Sequence, residues 1–259
     1  MKKILGFNAD VGSSDFYTRQ IQSFIRRRRI DGVAALGDAL EKGADKSLVE
    51  DFIEAVTINT TSFFREMPHY EWIYDTGLPE LLRSGVGGGR VSIWSAACSS
   101  GQELYSALMV ADRFRRSSGR QLQVTGLGTD VSNVALNNAR MARYSKIELS
   151  QIPNPYRDLY VSGRDDGEPR LSTSVKAMAE WQHNNLNAPS RSIGAGRFSM
   201  IFLRNCMIYF GKAERDRILT RVTAQLAPGG YLFVGHSETQ SLSSFPLKQV
   251  TPAVFSKVG

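Results

Sequence analysis

The feature that most constrains this chain of 259 residues is a change of pattern near residue 90. From there on, short apolar runs of strand length alternate with stretches of helical periodicity. Such alternation is typical of a doubly wound, mostly parallel sheet with helices on both faces. The predicted strands cover 90–95, 121–130, 198–203 and 231–234, a final hairpin covers 247–257, and the predicted helices include 133–143 and 212–226, the last stopped by the Pro-Gly-Gly at 228–230.

The first part of the chain, to about residue 74, is predicted to be helical. Apolar residues recur at helical spacing over 17–25 and again over 46–58, and no convincing strand is found there. We therefore predict a helical domain over 1–75 and a larger α/β domain over 76–259. Within the larger domain, the stretch 152–178 is rich in Pro, Gly, Ser and charged residues, which indicates a small inserted β-hairpin subdomain.

Composition limits the location and the partners of the protein. No apolar run reaches the roughly 20 residues that cross a bilayer, so we expect no membrane insertion. Residues 1–10 lack the apolar core of a secretory signal, and the two cysteines match no disulfide or metal framework, so a cytoplasmic location is expected. The net charge of +7 favours an acidic partner, which could be nucleic acid, anionic lipid or an acidic protein surface.

One acidic residue follows the first predicted strand and another ends the second, at the edge where doubly wound sheets bind their ligands. Glu103 follows the turn of small residues at 95–101, which matches neither the dinucleotide-binding motif nor the phosphate-loop motif. A carboxylate there suits a cationic ligand and repels a pyrophosphate, whereas Asp130 is placed to accept hydrogen bonds from a ribose. Each residue could equally be an acid that only stabilises the N-terminus of the helix that follows it. Together they favour a nucleoside with a cationic far end, and S-adenosylmethionine fits that description.

Four blocks of the sequence form a recognisable series: NTTSFFR at 59–65, WSAACSSGQELYS at 94–106, FLRNCMIYF at 202–210 and GHSE at 235–238. These blocks resemble the motifs of the chemotaxis receptor (CheR-type) glutamate methyltransferases. They follow the order of the family's motifs and span about two-thirds of the chain. In the second block, Gln102 and Leu104 depart from the usual Glu and Pro, but the matching acid, Glu103, is present.

The resemblance implies a class I methyltransferase-like fold, S-adenosylmethionine as cofactor, and transfer of its methyl group to receptor glutamates as γ-glutamyl methyl esters. Glu103 would bind the methionyl amino group, Asp130 the ribose, and Asn185 with Leu186 would lie near the adenine. The other cofactor residues that the resemblance implies are Asn59, Thr61, Arg65, Arg204 and Asn205. The catalytic residues that it implies are Arg65, Arg204 and Tyr209. It also implies that Arg26 and Arg28, in the basic block 26–29, contact the acidic receptor helices.

The proposed chemistry needs few catalytic groups. A glutamate carboxylate is already ionised at neutral pH and requires no general base, so no nucleophile–base pair and no metal cluster is expected. The three histidines, His69, His183 and His236, show no ligand spacing. The N-terminal region and the insertion are both shorter than is usual in the family, and we predict that no receptor-tail pentapeptide is needed as a tether.

Two alternatives stay open at this stage. The first is a nucleic-acid methyltransferase, which the basic net charge would suit. However, the Asx-Pro-Pro-aromatic motif of amino-methylating enzymes is absent at 204–207, and Cys206 lacks the preceding Pro of a cytosine-attacking nucleophile. The second alternative is a cofactor-sensing adaptor without turnover.

Overall fold

The computed structural model describes residues 14–43, 45–163, 168–188 and 197–258. The prediction for residues 1–10 and part of the predicted insertion, 164–167, lie outside these ranges. The helices are α1 Ser14–Arg28, α2 Gly32–Lys42, α3 Lys46–Val56, α4 Met67–Trp72, α5 Leu78–Ser84, α6 Gln102–Ser118, α7 Asn133–Met141, α8 Lys146–Ser150, α9 Tyr156–Tyr160, α10 Thr173–Lys176 and α11 Lys212–Gln225. The strands are β1 Arg90–Ser95, β2 Gln123–Asp130, β3 Val161–Ser162, β4 Arg170–Leu171, β5 Ala179–His183, β6 Phe198–Leu203, β7 Leu226–Val234, β8 Leu247–Thr251 and β9 Val254–Lys257.

Seven strands form one sheet in the order β5-β2-β1-β6-β7-β9-β8. The first five strands of this order run parallel, and β9 is antiparallel to both β7 and β8. From β1 the chain winds outward through β2 to β5, and it then returns to β6 on the other side of β1. The doubly wound, mostly parallel class I methyltransferase-like fold is thus confirmed, and the switch point lies between β1 and β6.

Each face of the sheet is covered by its own apolar layer, because neighbouring strand residues point to opposite faces. Ile93 and Phe202 pack with α4 and α6, whereas Trp94 and Ile201 pack on the opposite side with α1, α3 and α11. The N-terminal helices therefore share a core with the sheet. The domain boundary at residue 75 and the bounds of the insertion stay predictions. Within the predicted insertion, β3 and β4 form a two-residue antiparallel ladder.

The sequence patterns missed some elements and misplaced others. The helices α2, α4 and α5 and the edge strand β5 were not predicted; β5 is mostly exposed and has no apolar run. Helix α11 ends at Gln225 and β7 begins at Leu226, so the Pro-Gly-Gly at 228–230 lies within the strand and does not stop the helix. No helix in the described ranges is long and apolar enough to cross a bilayer.

Strand β5 lies against β2 through an aromatic–glycine contact. A Cβ atom at Gly128 of β2 would lie 2.3 Å from the ring of Trp181 on β5, so only glycine fits there. The Trp181 ring also approaches Gly101, whose φ of +94° suits glycine at the start of α6. The edge strand is thus fixed by one large side chain packed on two glycines.

A buried carboxylate connects α6 to the inserted segment. Asp112 on α6 accepts hydrogen bonds from Arg115, Arg116 and, at 2.8 Å, the Tyr160 hydroxyl. Burial alone would raise the Asp112 pKa, but the hydrogen bonds from Arg116, Arg115 and Tyr160 outweigh it and hold the pKa below its usual value.

Asp112→Asn is expected to lower the free energy of unfolding by about 2–3 kcal/mol at pH 7, because one oxygen acceptor and the charge are lost. A depressed carboxyl pKa contributes stability that is complete above about pH 4 and disappears as the pH falls further. The difference between the variant and the wild type should therefore shrink in acid. Urea titrations at pH 7 and pH 3.5 measure this, and an equal difference at both values would contradict it.

Candidate active site

A pocket of about 900 Å³, its open mouth included, lies at the carboxyl ends of β1, β2 and β6, beside the switch point. It combines walls from the sheet with a wall from the segment after α3. The lining residues are Thr57, Ile58, Asn59, Thr60, Thr61, Arg65, Ala96, Ala97, Ser99, Glu103, Asp130, Val131, Asn184, Asn185, Leu186, Arg204, Asn205, Cys206, Tyr209 and Phe210.

The carboxylate of Asp130 is held at the end of β2 by backbone amides. It accepts hydrogen bonds from Ser99 N at 2.8 Å and from Ser132 N at 3.0 Å. Burial raises the Asp130 pKa, whereas these amides favour the ionised form. The Val131 amide also favours the ionised form, but a carboxylate offers about four acceptor sites, so Asp130, which lines the pocket, keeps acceptor capacity for a ligand.

One guanidinium joins the elements at the centre of the pocket. The side chain of Arg204 is 1% exposed and lies 2.9 Å from Glu66 Oε2 and 3.0 Å from Glu103 Oε2. It also donates to the carbonyl oxygen of Arg65 at 2.8 Å. Burial disfavours the charged guanidinium, but Glu103, Tyr70 and Glu66 outweigh that effect and raise the Arg204 pKa. With both carboxylates ionised, this cluster carries one net negative charge.

Glu103 itself lies in the first turn of α6. Its Oε1 accepts a hydrogen bond from Ser95 Oγ at 2.7 Å, while Oε2 accepts from Arg204. Burial raises the Glu103 pKa. A further cationic group in the pocket would stabilise its ionised form.

The loop after β6 is fixed by a carboxylate from the next strand–helix connection. Buried Glu238 accepts hydrogen bonds from the amides of Gly235, Asn205 and Met207, each at 2.8 Å. Asn205 has a left-handed φ of 57°, a strained conformation that these bonds help to maintain. Glu238 therefore positions the pocket wall that contains Asn205.

Glu238→Gln replaces one carboxylate oxygen by an NH₂ group, so at least one of the three backbone amides loses its hydrogen-bond acceptor. We expect it to lower the free energy of unfolding by about 2 kcal/mol and to weaken binding of S-adenosylhomocysteine, the demethylated product of the predicted cofactor, several-fold. Thermal melts and calorimetry measure the two effects. Ser237→Ala, an exposed neighbour, is the matched control and should change neither; normal binding by Glu238→Gln would show that the loop does not depend on this contact.

The N-terminal segment closes the pocket from the helical side. The carbonyl oxygen of Asn59 accepts a hydrogen bond from Ser99 Oγ at 2.8 Å, and Glu54 on α3 accepts one from Ser132 Oγ at 2.7 Å. Both contacts reach the loops that hold Asp130. The Arg65 side chain is exposed at the mouth of the pocket and donates to the carbonyl oxygen of Thr60 at 3.3 Å.

The structure brings most of the predicted site residues together. Those that line the pocket are Asn59, Thr61, Arg65, Glu103, Asp130, Asn185, Leu186, Arg204, Asn205 and Tyr209. Arg26 and Arg28 lie apart from it on the exposed side of α1, and Arg28 forms an ion pair with Asp51 on α3. No role was predicted from the sequence for Glu66 or Glu238, although Glu66 directly follows one motif block and Glu238 ends another.

The pocket residues fit the predicted cofactor. The carboxylate of Glu103 suits a cationic group, and the remaining acceptor capacity of Asp130 suits a diol. The turn over 96–101 consists of small residues, including Ser99 with a φ of 49°, and lets a ligand approach the backbone closely.

Comparison with known proteins agrees with this fit. The family model described as CheR methyltransferase, SAM binding domain, matches residues 59–253. Chemotaxis protein methyltransferase 1 of Pseudomonas aeruginosa is 34% identical over 83% of this chain and 78% of its own length. Chemotaxis protein methyltransferase Cher2 of Pseudomonas putida is 33% identical over 80% and 76%, and the Borreliella burgdorferi chemotaxis protein methyltransferase is 29% identical over 84% and 77%. The chain therefore belongs to the CheR family of chemotaxis protein methyltransferases, with S-adenosylmethionine as its cofactor.

Proposed function

We propose that this protein methylates glutamate side chains on the acidic cytoplasmic helices of chemoreceptors and so forms γ-glutamyl methyl esters. The observation that carries the proposal is the division of charge along the pocket. Its interior is lined by the carboxylates of Glu103 and Asp130, whereas its mouth carries the exposed cation of Arg65. A cationic methyl donor suits the interior, and an anionic acceptor suits the mouth.

Tyr209 is proposed to act at the same mouth. Burial raises its pKa, and Arg65 is close enough to oppose that shift, so the phenol stays protonated at neutral pH. A protonated hydroxyl and a guanidinium together can orient a carboxylate by donating hydrogen bonds. No base is needed, because the acceptor is already ionised. The task of these residues is to align the acceptor oxygen and exclude water from it.

The roles proposed for the other residues follow the geometry of the pocket. Bound S-adenosylmethionine supplies an electrophilic methyl group. Glu103 would accept a hydrogen bond from the methionyl amino group, and Asp130 would accept from the ribose hydroxyls. Asn185 and Leu186 line the part of the pocket proposed for the adenine. The remaining proposed cofactor contacts are Asn59, Thr61, Arg65, Arg204 and Asn205.

Methyl transfer to a receptor's cytoplasmic fragment tests the chemistry directly. Carboxyl methyl esters hydrolyse in mild alkali, whereas N-methyl groups do not. We expect labelled methyl groups that are released by alkali and that are absent when the acceptor glutamates are replaced by alanine. Alkali-stable label, or label in oligonucleotides and not in receptor fragments, would contradict the proposal, and tight cofactor binding without any transfer would indicate a sensor.

The basic face of α1 is the proposed docking surface for the receptor. Replacing Arg26 and Arg28 by Glu reverses two charges there, and we expect receptor methylation at low salt to fall about tenfold, because long-range attraction to an acidic partner is lost. Cofactor affinity should not change. The matched control is Arg143→Glu with Lys248→Glu, which makes the same change of net charge at exposed positions elsewhere.

Because Arg28 forms an ion pair with Asp51, replacing Arg28 by Glu also places two acidic side chains next to each other. Asp51→Arg added to the double variant restores that pair and separates the two effects. If the control double variant lowers methylation as much as the α1 double variant does, only the net charge of the protein matters.

A further inference from the structure

Two histidines and a glutamate from two separate parts of the chain meet beside the pocket. His69 lies on α4, Glu66 directly precedes that helix, and His236 follows β7. Glu66 Oε2 is 3.5 Å from His69 Nδ1 and 3.7 Å from His236 Nε2. One ligand atom of each residue lies within 4.8 Å of the other two. None of the three residues lines the cofactor pocket.

We propose that Glu66, His69 and His236 bind one transition-metal dication of the Zn²⁺ class. With metal–ligand distances of about 2.0–2.1 Å, neighbouring ligand atoms of a tetrahedral site are about 3.3 Å apart. Two of the three separations are already within a few tenths of an ångström of that value. Two imidazoles and one carboxylate select zinc-like ions and not Mg²⁺ or Ca²⁺, and three protein ligands leave a fourth position open.

The burial of the cluster gives independent support. His69 is 2% exposed, and neither of its ring nitrogens makes a hydrogen bond of ordinary geometry with a described residue, although the Pro252 backbone lies close to the ring. Buried polar atoms without partners are rare in native proteins, and a metal ion is one of the partners that satisfy them. His236 is 58% exposed in its side chain, so the site is open to solvent on that side. An ion can enter without unfolding the surroundings.

The site is coupled to the cofactor pocket through one atom. Glu66 Oε2, the proposed ligand, is also the oxygen that lies 2.9 Å from Arg204. A bound dication would compete with the guanidinium for this oxygen, while Arg204 keeps Glu103 and the Arg65 carbonyl as partners. It would also cancel negative charge beside the pocket. The metal and a cationic cofactor should therefore weaken each other's binding, reciprocally.

Calorimetric titration of the full chain with ZnCl₂ tests the site. We expect one equivalent of Zn²⁺ to bind, with MgCl₂ giving no binding, and His236→Ala to weaken the Zn²⁺ affinity roughly a hundredfold. The matched control is His183→Ala, because His183 lies outside the cluster; it should bind Zn²⁺ like the wild type. Absence of stoichiometric binding, equal affinity in His236→Ala, or binding that Cys206→Ser abolishes would each overturn the proposal.

A second titration tests the coupling. The wild type's affinity for S-adenosylmethionine should fall about fivefold or more when one equivalent of Zn²⁺ is present. His236→Ala should show no such fall at the same concentration of Zn²⁺. Zn²⁺ binding without any change in cofactor affinity would overturn the coupling through Glu66. Neither readout depends on methyl transfer, so the metal site can fail while the proposed function stands, and the reverse.

Discussion

Arg204→Met is expected to lower the free energy of unfolding by about 3–5 kcal/mol and to reduce methyl transfer about a hundredfold. The substitution keeps most of the side-chain volume but leaves Glu66 and Glu103 as neighbouring, largely buried carboxylates without their shared cation. The carbonyl oxygen of Arg65 also loses its donor. Urea titration and a methylation assay at saturating cofactor measure the two effects.

The pH dependence of this variant provides a sharper test. Burial already raises the Glu103 pKa, and removal of Arg204 removes the group that most opposes that rise. A raised carboxyl pKa destabilises the folded state as the pH rises through it, so the defect should be larger at pH 8 than at pH 5.5.

Adding Glu66→Gln to Arg204→Met removes one of the two unpaired acids and should recover part of the lost stability. A defect that is independent of pH and unchanged in the double variant would mean that Arg204 acts through packing and not through charge.

Asp130→Ala is expected to weaken binding of S-adenosylhomocysteine by about 10–150-fold, the range that corresponds to loss of hydrogen bonds to a charged acceptor worth about 1.5–3 kcal/mol. The product is the suitable probe, because it contains the ribose but not the sulfonium charge, and so isolates the contact proposed for Asp130. Calorimetry measures the affinity. Arg65→Ala and Glu103→Ala are expected to weaken S-adenosylmethionine binding as well.

The control for this prediction must separate affinity from stability. Asp130 also accepts hydrogen bonds from two backbone amides, so replacing it by alanine should lower the melting temperature slightly. Asp38→Ala, at an exposed position of α2, removes the same charge and should change neither quantity. An Asp130→Ala variant that binds the product within a factor of two of the wild type would remove Asp130 from the site.

The sequence alone determined the alternation of strands and helices and the positions of the residues at the strand ends. Apolar runs such as Phe198–Leu203 are buried on both faces, so they leave a pattern that needs no knowledge of their neighbours. Because parallel strands end at one edge, Glu103 and Asp130 could be assigned to one crevice in advance. The motif blocks added Arg65, Arg204 and Asn205 to it.

Tertiary structure alone decided which charges meet. The pairing of Arg204 with Glu66 and the stack of His69 on His236 join residues from separate parts of the chain, and no periodicity predicts such contacts. Strand β5 escaped prediction because an exposed edge strand needs no apolar run; it is held by Trp181 packed on glycines of other elements. Sequence patterns record what each segment buries, whereas long-range pairing of charges depends on where the fold brings distant segments together.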